Sequence, residues 1–155
     1  LDVTVQDYLK RIEGKTAQLF MLSCVMGEQF SLLKEEARAR QIGHAIGMSF
    51  QILDDILDYE IDAHQFGKPV LEDVAQGVSK KEKELLPLLE KKELISEVER
   101  KKVQQLVLKS GGVESAKELA KKYTDRALQQ IERLPEKNVK AMLFDITSRL
   151  LQREY

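Results

Sequence analysis

The sequence predicts an all-α fold, and three observations carry that prediction. No segment alternates apolar and polar residues long enough to argue a strand. Apolar residues recur instead at helical spacing over most of the chain. The three prolines, Pro69, Pro87 and Pro135, each stand where such a periodic pattern breaks. At 155 residues the chain is one domain by length, with enough residues for a real core.

The elements follow in order. Thr4 is a plausible N-cap, with Asp7 three residues on completing a capping box, so a first helix starts there and runs to about Gly27. Its second half, around Leu19-Phe20-Met21-Leu22-Ser23-Cys24-Val25-Met26, is apolar nearly all round and is expected to be buried. A second helix begins near Leu33 and continues to about Tyr59. Residues 61–78, with Gly67-Lys68-Pro69 and Gly77, lack clean periodicity and read as a loop with short helical turns. Ser79 to Lys92 is a charged amphipathic stretch broken by Pro87. Ser96, with Glu99 three on, opens a helix that closes at Gly111-Gly112. Val113 to Leu134 places Ala116, Leu119, Ala120, Tyr123, Ala127, Leu128 and Ile131 on one face. Lys137 to Arg153 supplies the last helix, with Met142, Leu143, Ile146, Leu150 and Leu151 inward.

The run Phe50-Gln51-Ile52-Leu53-Asp54-Asp55-Ile56-Leu57-Asp58-Tyr59 carries the most chemistry. At about 100° per residue from Gln51, Asp54 falls near −60°, Asp55 near +40° and Asp58 near −20°. These four polar groups form one stripe, which His44 and Gly47 extend. The rest of the circumference is Ile42, Ala45, Ile46, Phe50, Ile52, Leu53, Ile56 and Leu57, so the helix belongs in a core. Bare carboxylates there are costly unless something cationic compensates them. The stripe is therefore expected to face a polar cavity, with a divalent metal as compensation. Hard cations such as Mg²⁺ take carboxylate and phosphate oxygens, and Asp54 and Asp58 can reach one ion from successive turns, flanked by Asp55. A lone Asp-x-x-x-Asp is commonly a solvated acidic face. The Phe-Gln ahead of it and the apolar flanks argue otherwise.

Other groups are less decisive alone. Lys15-Thr16 lies where the first helix turns from amphipathic to apolar; Lys15 either snorkels to water or points into the aspartate cavity to hold a phosphate. Lys68 sits in a Gly-Lys-Pro tripeptide that is commonly just a turn, though Gly67 lets backbone approach an anion. Glu72-Asp73 can cap the next turn or bind Lys68. Gln51 can donate its amide to an oxygen in the site. His44 reads as a hydrogen-bonded core residue more readily than as a ligand. Cys24, the single cysteine, reads as core filler and excludes an intrachain disulfide.

Gly14-Lys15-Thr16-Ala17, then Phe50-Gln51-x-x-Asp54-Asp55-x-x-Asp58-Tyr59, then Phe66-Gly67-Lys68-Pro69 with Asp73 and Gly77, closely resemble the C-terminal half of a trans-polyprenyl diphosphate synthase. The wording from Asp62 to Val78 is most similar to the long-chain bacterial hexa-, hepta- or octaprenyl enzymes that make quinone side chains. The resemblance covers nearly the whole chain. It implies an isoprenoid-synthase-type helical bundle and Mg²⁺-dependent condensation of isopentenyl diphosphate with an allylic prenyl diphosphate. It also implies roles: Asp54, Asp55 and Asp58 as the second aspartate motif, with Asp54 the surest metal ligand. Lys15 and Lys68 would bind the allylic diphosphate with help from Gln51, and Thr16 and Phe50 would line the reacting end. By the same resemblance a homodimer is expected.

Two departures qualify this. The family's first aspartate motif and its isopentenyl-diphosphate-binding Arg and Lys residues are not in these residues, and the chain opens on Leu1 rather than Met. A short stretch of the family pattern is also missing after Val78. The chain is thus expected to be the C-terminal part of a single domain, holding about half an active site and inactive alone. A non-catalytic half-site or regulatory subunit is the alternative; a terpene cyclase-like lyase is a further one, opposed by the intact Asp-Asp-x-x-Asp.

Composition bounds the rest. Twenty-five basic against 26 acidic residues give a formal charge of −1, so a nucleic-acid partner has no electrostatic support. The apolar run in the first helix is too short and interrupted to span a bilayer. A soluble, cytoplasmic protein is expected, with at most peripheral membrane contact for product release.

Overall fold

The computed structural model describes residues 4–30, 34–61 and 111–151, with side chains of the central helix described as far as Leu57. Every element among them is helical. Helix α1 (Val5–Ile12) runs through a π-helical turn (Glu13–Ala17) directly into α2 (Gln18–Gln29). Then come α3 (Glu36–Ile61), α4 (Gly112–Glu132) and α5 (Lys137–Leu151). The loop expected over 61–78, the stretch from Ser79 and the helix from Ser96 lie outside the described residues.

Local chemistry sets the ends. The Thr4 hydroxyl accepts from the Asp7 N–H while the Asp7 carboxylate accepts from the Thr4 N–H at 2.9 Å, a complete capping box. That arrangement holds the Asp7 carboxyl below its ordinary value, chiefly through the Thr4 side chain. Gly111 precedes α4 with φ +73°, a left-handed conformation that favours glycine. Glu136, just past Pro135, accepts the Val139 N–H at 2.6 Å and so caps the first turn of α5.

Helix α3 is the centre, packed between α1–α2 on one side and α4 on the other. Ile12, Ala17, Met48, Ile52, Ile56, Val113 and Ala120 form one buried cluster; Ile42, Ala45, Ile46, Ala127, Ile131 and Leu134 form another. Two glycines let α3 meet the preceding segment backbone to backbone. A Cβ on Gly43 would fall 2.5 Å from the Phe20 carbonyl oxygen, and one on Gly47 would fall 2.6 Å from the Ala17 Cα. On the other face Ser49, fully buried, bonds the Ala120 carbonyl at 3.0 Å and the Thr124 hydroxyl at 2.7 Å.

Two burial expectations are corrected. Helix α2 is not buried all round: Leu19 is 64% and Met26 55% exposed. Only the side carrying Phe20 and Cys24 reaches the core, because α3 contacts α2 along one line. In α5 the inward residues are Val139, Leu143, Thr147 and Leu150, whereas Met142 and Ile146 are exposed. A threonine occupies the central inward position, so counting apolar residues alone rotates the helix. No helix among the described residues is long and apolar enough to cross a membrane.

Candidate active site

The site is assembled by α3 facing the α1–π-turn segment. Tyr8 and Thr16 are eight residues apart, which in a continuous α-helix would separate them by about 80°. The π turn, closed by the Gln18 N–H on the Glu13 carbonyl, takes up an extra residue. Both side chains consequently reach α3. The Tyr8 hydroxyl donates to Asp55 Oδ2 at 2.6 Å, and the Thr16 hydroxyl donates to Gln51 Oε1 at 2.5 Å. Gln51, only 6% exposed, donates its amide to Asp55 Oδ1 at 2.9 Å. These bonds tie the aspartate stripe to the Lys15–Thr16 turn.

The remaining expected residues are placed as follows. Asp54 is half-buried on the same turn as Asp55. Lys15 is exposed beside Thr16 and forms no ion pair with a described residue. Phe50 is half-buried, its ring 5.4 Å from that of Phe20 and tilted by 39°. Asp58 belongs to α3, but its side chain lies outside the described residues, as does Lys68 altogether. Among the described residues no three His, Cys, Asp or Glu side chains gather as a metal site. The Asp54 carboxylate is the type of hard oxygen donor that Mg²⁺ takes, and such an ion commonly needs only one or two of them besides phosphate oxygens.

Gly47 belongs to the helix contact rather than to an open cavity, since its Cα abuts Ala17. His44 is hydrogen-bonded, as expected, but half-buried rather than in the core: its Nε2 lies 3.2 Å from Glu13 Oε1, and its ring meets Tyr123 edge-on. Cys24 is half-buried, and burial pushes its thiol pKa up, which suits a packing role rather than a nucleophile. Sequence reasoning missed Tyr8 and Glu13. Their partners lie far away in sequence; the spacing Tyr8–Ile12–Thr16 hinted only that Tyr8 lies toward the side of Thr16, and nothing singled out Glu13.

The polyprenyl synthetase family model matches residues 1–124. The chain is 32% identical over 153 residues to the geranylgeranyl diphosphate synthase of Saccharolobus solfataricus, covering 89% of this chain and 46% of that one. It is 32% identical over 169 residues to heptaprenyl diphosphate synthase component 2 of Geobacillus stearothermophilus, covering 99% and 51%. The crystal structure of a geranylgeranyl pyrophosphate synthase from Lactobacillus brevis, complexed with citrate, superposes with a TM-score of 0.87 at 43% identity, over 99% of this chain and 53% of that one. The chain thus spans about half the length of the curated relatives it matches. With the aspartate helix and the Lys-Thr turn held together as described, the match places this chain in the polyprenyl synthetase family.

Proposed function

We propose that the protein carrying this chain is a trans-polyprenyl diphosphate synthase, to which these residues contribute the C-terminal part of a single domain. The reaction joins isopentenyl diphosphate to an allylic prenyl diphosphate. The allylic C–O bond breaks and diphosphate leaves with the electron pair. The isopentenyl double bond then forms the new C–C bond, and a proton is lost. The single observation that carries the reading is the Thr16–Gln51–Asp55 connection, which joins the Lys-Thr turn to the helix of the aspartate motif.

Within that reading Lys15 and Lys68 neutralise the departing diphosphate, and developing charge is where fixed cations act most strongly. Asp54 with Asp58 would hold Mg²⁺, which supplies further neutralisation of the leaving group when bound. Asp55 is assigned to the same motif, and its contacts to Tyr8 and Gln51 support an anchoring part in it. Phe50 and Thr16 line the reacting end. A cytoplasmic homodimer with at most peripheral membrane contact during product release completes the reading. One relative's name, heptaprenyl diphosphate synthase component 2, is reason to look for a second component as well.

The test is incorporation of labelled isopentenyl diphosphate by the intact protein, with an allylic primer and Mg²⁺. The expected result is an extended prenyl diphosphate, formed with Mg²⁺ and abolished by EDTA. Product only after adding a separate partner chain supports the half-site alternative instead.

A further inference from the structure

We propose that Tyr8 is a positioning residue that holds Asp55 in place at the head of a hydrogen-bond chain running through Gln51 to Thr16. The inference rests on the prenyltransferase reading for its consequence, but its geometry stands apart from that reading. A carboxylate is acceptor-only, so the Tyr8 hydroxyl must donate into Asp55 Oδ2. For the same reason the NH₂ of Gln51 must face Asp55 Oδ1. That orientation turns the Gln51 carbonyl the other way, toward Thr16, whose hydroxyl then has to donate. The proton of Thr16 is committed inward. Only its lone pairs remain for whatever binds in front of it.

The Tyr8 ring is itself held. It packs against the first buried cluster, and the Arg11 guanidinium lies 5.7 Å from its centroid. Its hydroxyl keeps Oδ2 engaged from α1, so Oδ1 stays on the Gln51 amide one turn away on α3. A developing allylic cation next to Thr16 would meet lone pairs rather than an O–H dipole of the wrong sign, which is preorganisation of the kind that favours ionisation. Tyr8 touches no reacting atom in this scheme; it acts through Asp55 and Gln51.

The experiment uses the intact protein, with Tyr8→Phe, Thr16→Val and the double variant. Tyr8→Phe is expected to lower kcat about tenfold, the size of one hydrogen bond to a charged group, while KM for both diphosphates shifts less than about twofold. On top of Thr16→Val it should lower kcat less than about twofold, because the chain no longer has an end to orient. A purely structural tyrosine would add its full loss in both backgrounds. A second arm needs no activity: in metal-free protein, each single variant should shift the Gln51 side-chain amide resonances and speed their exchange. Wild-type kcat in Tyr8→Phe, a full tenfold loss retained in the double variant, or unmoved Gln51 resonances would each overturn the proposal. Absence of condensation by the wild-type protein would reject the prenyltransferase reading, and the amide arm would still decide this one.

Discussion

Gly47 on α3 lies so close to Ala17 that a Cβ on the glycine would fall 2.6 Å from the Ala17 Cα. This contact sets the register of the site. One turn further along α3 is Gln51, and the residue before Ala17 is Thr16, so the two polar groups meet because the two small residues do.

Gly47→Ala is therefore expected to destabilise the protein by about 1–3 kcal/mol, the usual range for overpacking a tight core. The clash is with backbone, which cannot swing aside as a side chain would. Gly27→Ala serves as the control: nothing lies within 4 Å of that position inside α2, so the better helix former should stabilise by roughly 0.5–1 kcal/mol. Denaturant melts of both variants check the opposite signs. The same sign for both would contradict the contact.

Much of this fold was legible in the sequence. The Thr4–Asp7 cap, the span of α3 and the inward face of α4 follow from side-chain chemistry and a 3.6-residue period, and all three are present. The exposed side of α2 was not legible, because apolar residues all round a helix say nothing about how many neighbours it has. The rotation of α5 was hidden by Thr147, a polar residue in an inward position. The π turn was hidden for a different reason: a single extra residue in a helix changes no composition, yet it decides that Tyr8 and Thr16 both reach α3.

Thr147 itself yields the next prediction. It is fully buried, and its hydroxyl has no hydrogen-bond partner among the described residues. Thr147→Val replaces that hydroxyl with a methyl of similar size. It should stabilise by about 1 kcal/mol, or roughly 2–4 °C in Tm. A fall in Tm would mean that the hydroxyl is satisfied.

The Asp7 carboxyl is held below its ordinary value of 3.8 by the Thr4 bonds. A depressed carboxyl contributes stability that is present above 3.8 and is lost as pH falls through the folded value. An NMR titration of Asp7 should find a midpoint below 3.8, and Thr4→Val should move it back up. Equal midpoints in the two proteins would show that the capping box does not form in solution.

The Cys24 thiol, raised by burial, should react slowly with iodoacetamide at neutral pH in the folded protein and quickly once it is unfolded in urea. Rapid alkylation of the folded protein would contradict its place against the second core cluster.

The central claim is that Asp54 on α3 serves a metal-bound diphosphate and not the fold. Calorimetric titration of inorganic diphosphate into the intact protein, wild type against Asp54→Ala, with Mg²⁺ or with EDTA, tests it most directly. The account predicts diphosphate binding to wild type that depends on Mg²⁺, and a loss of that binding by orders of magnitude in Asp54→Ala. Binding of equal strength in the two proteins, or binding to wild type unchanged by EDTA, would contradict it.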